Sequence, residues 1–144
     1  MFVVDTNILV YAANSDGKEY DRARSFLDQC RDQPTVWYIT YGILYEFFRI
    51  TTHHRVFTTP WTFSEAWNYV QVLLESPGLS ILQETERHIA VGEEIGKQVP
   101  MIRGNLLYDA RTAIIMREHG VKTIYTRDTD FYKFPFLKVV DPLE

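Results

Sequence analysis

Five acids occupy positions where a folded chain tolerates a carboxylate poorly unless something offsets its charge. Asp5 interrupts an apolar run, Phe2-Val3-Val4-Asp5-Thr6-Asn7-Ile8-Leu9-Val10. Glu46 follows Ile43 by three residues and precedes Ile50 by four, so on a helix it borders an apolar stripe. Asp109 repeats that spacing between Leu106, Ala113 and Met116, while Asp128 and Asp130 fall in Thr126-Arg127-Asp128-Thr129-Asp130-Phe131. Taken singly, each acid has a structural reading: a helix or turn cap for Asp5, Asp128 and Asp130, an ion pair or an edge position for Glu46 and Asp109. Taken together they form a ligand set. A carboxylate near a core is costly unless paired or bound to a metal, and carboxylates without His or Cys suit hard, oxygen-seeking Mg²⁺ or Mn²⁺. Such a centre supports phosphodiester hydrolysis, by lowering the pKa of a bound water and stabilising the attacking and leaving oxygens. No phosphate-cradling G-x-x-x-x-G-K run competes, because the seven glycines are dispersed.

These acids can meet only if the fold brings them to one edge. Phe2-Val3-Val4 is short and β-branched, which predicts a buried strand, with Thr6 or Asn7 capping a helix that starts at Ile8. Tyr20 to Cys30 has helical spacing. Val36 to Thr40 is a second strand, followed by a helix with Ile43, Leu44, Phe47, Phe48 and Ile50 on its core face. Thr62-Phe63-Ser64-Glu65 is a capping box opening a helix to about Leu74, and Leu79 to Leu82 is a third strand. Thr85 to about Val99 is an amphipathic helix with Ile89, Ala90, Ile95 and Val99 inward. Asn105 caps a further helix that Gly120 terminates. Lys122 to Thr126 is a fourth strand, Asp128 to Phe134 a tight turn or short helix, and Leu137 to Val140 a fifth strand.

Strands alternating with helices predict an α/β fold, a five-stranded parallel sheet with helices on both faces. A strand order of 3-2-1-4-5 is permitted by right-handed crossovers and sets strands 1 and 4 side by side. The cleft between their carboxyl ends is then the switch point where such sheets bind ligands. Asp5 ends strand 1, and Asp128 and Asp130 follow strand 4.

The 144 residues suit one domain, 1–144, and no linker or repeat divides them. Hydrophobic residues make up 46% and charged residues 24%, a globular composition, and no apolar stretch approaches the roughly 18 residues that predict a membrane span. The single Cys30 excludes an internal disulfide and a cysteine-based metal site, and suits a reducing cytoplasm. The net charge of −4 argues against nucleic-acid binding by a basic surface alone. A divalent cation among the acids would remove that objection.

At this point the residues resemble a family. Val4-Asp5-Thr6-Asn7, Tyr45-Glu46-Phe47-Phe48-Arg49, Leu107-Tyr108-Asp109-Ala110 through Arg117-Glu118-His119-Gly120-Val121, and Thr126 to Phe131 are similar, in order and spacing, to the PIN-domain nucleases, and most closely to VapC-type toxins of prokaryotic toxin–antitoxin pairs. The resemblance implies a three-layer α/β/α PIN-like fold and a Mg²⁺- or Mn²⁺-dependent endoribonuclease. In it Asp5, Glu46, Asp109 and Asp128 form the acidic, metal-holding set, with Asp130 an accessory acid and Thr6 a hydroxyl beside the metal. It further implies a cut leaving a 3′-hydroxyl and a 5′-phosphate, an RNA substrate, a cognate VapB-like antitoxin and a homodimer. No acidic position departs from the pattern.

Softer candidates remain. Arg103 and Asn105 precede the Asp109 helix and could contact phosphate, and Arg103 could equally neutralise an acid. His53, His54 and Arg55 form a basic loop that reads first as solvated. Trp61, Trp67 and Tyr69 read as core. The alternative from another class is a non-catalytic PIN-like module that binds RNA or a protein and uses its acids for structure. A phosphotransfer fold with Asp5 as nucleophile needs a nearby Lys, and Lys122 lies at the wrong end of its strand.

Overall fold

The computed structural model describes residues 1–144. Its sheet has five parallel strands, β1 (Phe2–Val4), β2 (Trp37–Ile39), β3 (Leu79–Ile81), β4 (Thr123–Tyr125) and β5 (Lys138–Val140), in the order β3-β2-β1-β4-β5. The expected order therefore holds. Six helices connect the strands: α1 (Thr6–Ala13), α2 (Tyr20–Asp32), α3 (Tyr41–Thr51), α4 (Phe63–Leu74), α5 (His88–Gln98) and α6 (Leu106–Glu118), with a 3-10 turn at Thr129–Lys133. Helix α1 packs on α2 and α3, α3 packs on α4, and α5 packs on α6. The central strands are apolar on both faces, as helices on either side require: Val3, Val4, Ile39 and Ile124 are fully buried.

Register decides what stands at the carboxyl edge. Val4 pairs with Tyr125, so Asp5 and Thr126 emerge together one step later, and the Asp5 N–H donates to the Tyr125 carbonyl at 3.0 Å. The Thr126 N–H donates to Val140 at 2.9 Å, which carries the same edge across to β5.

Helix boundaries follow local chemistry, with three corrections. Asp5, not Thr6 or Asn7, is the N-cap of α1; its carboxylate accepts the Thr6 N–H at 2.8 Å, and Thr6 is the first helical residue. Helix α5 starts at His88 rather than Thr85, because residues 85–87 are held outside the helix. Thr85 donates its N–H and hydroxyl to the buried Glu118 carboxylate at 2.8 and 2.5 Å, and the Arg87 guanidinium donates to the Glu118 carbonyl. Ile89 and Ala90 accordingly face solvent, Ile89 with 84% of its surface exposed, while Val91, Ile95 and Val99 supply the buried stripe. Asn105 occupies the N-cap position of α6 but its side chain makes no capping bond. The capping box of α4 is present, with Thr62 and Glu65 each accepting from the other's backbone. The end of α6 is also as expected. Gly120 takes φ +68°, and the N–H groups of Gly120 and Val121 reach the carbonyls of Arg117 and Met116 at 3.2 and 2.9 Å, a Schellman closure that a side chain at Gly120 would strain.

Candidate active site

At the carboxyl edge of β1 and β4 lies a cavity of about 650 Å³ whose lining includes Asp5, Glu46, Asp109, Asp128 and Asp130. Four separate segments supply these acids. Asp5 comes from the β1–α1 junction, Glu46 from the second turn of α3, Asp109 from the first turn of α6, and Asp128 and Asp130 from the turn after β4. One carboxylate oxygen from each of Asp109, Asp128 and Asp130 lies within 4.8 Å of the other two. Atoms so spaced can share one cation.

Asp5 is held hardest. It is 92% buried, at 8% exposure, and its Oδ1 accepts the Thr6 N–H at 2.8 Å. Its Oδ2 accepts the Thr126 hydroxyl at 2.7 Å and the Asn7 amide at 3.3 Å. Thr126 in turn accepts from the Asn7 side chain and from the Asp128 N–H, both at 2.9 Å. One threonine thus ties the first acid to the fourth. Burial pushes the Asp5 carboxyl up to about 6; bonds from Thr126 and Thr6 oppose this, and the charges of Glu46 and Asp128 add to it. Asp109 is pushed up to about 7, first by burial and then by the charges of Asp128, Asp5, Asp130 and Glu46. These acids repel one another across a shared space.

Glu46 takes the edge position that its spacing allows. Its side chain is 47% exposed at the cavity wall, where Oε2 accepts the Thr6 hydroxyl at 3.3 Å and Oε1 lies 3.8 Å from Arg49. The apolar stripe it borders is Ile43, Leu44, Phe47 and Phe48. Thr6 therefore joins α1 to Glu46, and its hydroxyl is also 3.3 Å from the Ile43 carbonyl. Asp128 caps the 3-10 turn by accepting the Asp130 N–H at 2.9 Å, and Asp130 pairs with Lys133 at 2.9 Å.

Of the softer candidates, Asn105 lines the cavity; Arg103 is exposed, does not line it and forms no ion pair with an acid. His53 and His54 stack on each other, ring centroids 4.8 Å apart, in a segment that does not line the cavity. Trp61 and Tyr69 pack against Phe47, whereas Trp67 stacks on Phe48 and keeps 40% of its surface exposed. Sequence reasoning missed Tyr45, Arg49, Tyr108, Arg111 and Thr40 on the cavity wall. Exposed Tyr45 and Tyr108 adjoin Glu46 and Asp109 in the chain, the one signal that could have found them.

Residues 2–137 match the PIN-domain family model. The chain belongs to the PIN-domain family. Among curated relatives, a VapC ribonuclease of Mycobacterium bovis is 31% identical across 100% of this chain and 97% of its own length, and ribonuclease VapC24 of Mycobacterium tuberculosis is 32% identical across 99% and 97%. Among solved structures, a Rickettsia felis VapBC2 complex bound to a promoter DNA fragment superposes with TM-score 0.68 at 20% identity, covering 96% of each chain. Mycobacterium tuberculosis VapC20, described as a sarcin-ricin loop cleaving toxin, superposes with TM-score 0.64 at 18% identity, covering 92% and 93%. The PIN domain described here thus has its acidic cavity on the carboxyl edge of the shared sheet.

Proposed function

We propose that this PIN domain is a divalent-metal-dependent endoribonuclease, the toxin of a VapBC-type pair, working as a homodimer restrained by a VapB-like antitoxin. The observation that carries the reading is the convergence of five carboxylates from four segments on one cavity, three of them with oxygens mutually within 4.8 Å. Its VapC relatives, matched over nearly their whole length, support a ribonuclease, and neighbouring structures that contain an antitoxin support the partner.

The donor set fits Mg²⁺ or Mn²⁺, being all carboxylate with no His or Cys on the cavity wall. Burial and mutual repulsion also leave Asp109 needing positive charge beside it. In this reading Asp109 and Asp128 hold the ion together with Asp5, which stands outside the group of three close oxygens; Glu46 holds a second ion or orients the attacking water, and Asp130, inside that group, is accessory. A bound divalent cation supplies Lewis acidity toward the scissile phosphate and makes water a better nucleophile. The protein's own share is positional. Thr126 and Thr6 fix Asp5, Thr6 steadies Glu46, and the 3-10 turn aims Asp128 and Asp130 inward.

The test is cleavage of RNA by purified protein in Mg²⁺ or Mn²⁺. Activity should disappear in excess EDTA, return on adding metal, and fall at least about a hundredfold in Asp5→Asn and Asp109→Asn. Equal cleavage in EDTA, or an Asp5→Asn protein as active as its parent, overturns the metal mechanism.

A further inference from the structure

Two guanidiniums line the cavity, and they are held differently. Arg49 leans on Glu46, one of the acids itself, at 3.8 Å. Arg111, two residues after Asp109 on α6, is gripped from outside: its Nε and Nη2 lie 2.7 and 2.6 Å from Oε1 of Glu84, and Glu84 is not part of the cavity wall. The remaining nitrogen, Nη1, makes no hydrogen bond within the protein and extends over Gly42 in the first turn of α3. A Cβ at position 42 would stand 3.3 Å from it, close enough that the guanidinium would have to shift by a few tenths of an ångström. The Arg111 side chain keeps 47% of its surface exposed. A cation fixed by a carboxylate on one side, with a free N–H face on the other, is pre-organised for an anion. The cavity's own carboxylates are spoken for in the metal reading, which leaves the substrate backbone as the anion within reach.

We propose that Arg111 is the phosphate-binding residue of this site, positioned by Glu84 across Gly42, and that it grips a backbone phosphate of a single-stranded RNA beside the acidic cluster. The assignment rests on the reading of the cavity as an RNA-cleaving site. Glu84 acts through Arg111 and is a positioning residue; Gly42 provides the clearance.

Binding measured without cleavage separates this assignment from the catalytic one. The probe is a fluorescein-labelled 2′-O-methyl phosphorothioate 12-mer of mixed sequence, which resists hydrolysis and keeps one charge per linkage. Anisotropy titrations in Mg²⁺ across a salt series give the slope of log K against log salt, about 0.7 per phosphate contact on a single strand. Arg111→Gln should lower that slope by about 0.7 and weaken binding roughly tenfold. Arg111→Lys should keep the slope while losing part of the affinity, because an ammonium lacks the fork that Glu84 holds. Glu84→Gln should weaken binding although it removes a negative charge, whereas a purely electrostatic role predicts tighter binding. An unchanged slope in Arg111→Gln, tighter binding by Glu84→Gln, or no binding by the unsubstituted protein overturns the proposal. A protein that binds in this pattern yet cleaves no RNA upholds Arg111 and refutes the ribonuclease reading instead.

Discussion

Replacing Asp109 by asparagine should stabilise the metal-free protein at neutral pH while abolishing its proposed activity. Burial and four neighbouring acids push this carboxyl from its ordinary 3.8 up to about 7. Between those two values the folded state holds a proton that the unfolded chain has released, so stability declines as pH rises through that window. With one pH unit worth about 1.36 kcal/mol, the cost is complete above pH 7 and approaches about 4 kcal/mol. Partial exposure and the coupling of Asp109 to Asp5 reduce what one substitution recovers, to about 2 to 3 kcal/mol. For a chain of this size that is a Tm gain on the order of 10 °C. The assay is thermal unfolding in EDTA at pH 4 and pH 8. Asp109→Asn should melt higher than its parent at pH 8 and close to it at pH 4. Adding Mg²⁺ should raise the parent's Tm and leave the variant nearly unmoved, because only the parent gains binding energy on folding. A variant no more stable than its parent at pH 8, or one gaining as much at pH 4, would refute the claim that burial and neighbouring acids together hold this carboxyl above its ordinary value.

Three further outcomes are expected. Thr126→Val removes the hydroxyl joining Asp5, Asn7 and Asp128, and should cost about 1 to 3 kcal/mol in urea unfolding while raising the Asp5 carboxyl further above about 6. Burial raises the Glu118 carboxyl, but bonds from Thr85 and His88 outweigh this and hold it below its ordinary 4.5, so its contribution is present above 4.5 and is lost as pH falls through the lower folded value. Glu118→Gln should therefore flatten the acid side of the stability–pH curve and destabilise the neutral protein by about 1 to 3 kcal/mol. The buried Cys30 thiol is pushed up to about 12, so iodoacetamide at pH 8 should label it only after denaturation; rapid labelling of the folded protein would contradict its burial.

Much of the frame was legible because parallel α/β chains write it in alternation. Short β-branched runs and breakers mark the strands, one crossover hand permits the 3-2-1-4-5 order, and the adjacency of β1 and β4 in that order brings residue 5 to residue 128. What stayed hidden was settled by partners distant in sequence. Ile89 reads as inward by helical spacing, yet Glu118, thirty-odd residues later, holds Thr85 and Arg87 out of the helix and shifts the buried stripe to Val91 and Ile95. Asp5 serves as both cap and cavity acid, two readings that the sequence presents as alternatives. Glu46 borders an apolar stripe as its spacing demands, but the cavity beside that stripe opens it to solvent. Thr126 was legible only as part of a motif, and Arg111 had no role assigned, since each matters for what it touches in the folded chain.

The bond between Thr126 and Asp5 spans 121 positions of the chain. Neither the strand pairing beneath it nor the cavity above it exists until both ends are present, because β1 meets β4 only after six helices and two other strands intervene. Synthesis runs from the amino end, and contacts of such separation form late. An emerging chain therefore carries Asp5, Glu46 and even Asp109 as isolated, ordinary carboxylates, and becomes a nuclease only once Asp128 and Asp130 have been made and docked. The producing cell meets the active centre all at once, at the end of folding, which is also the first moment at which there is anything for an inhibitor to cover.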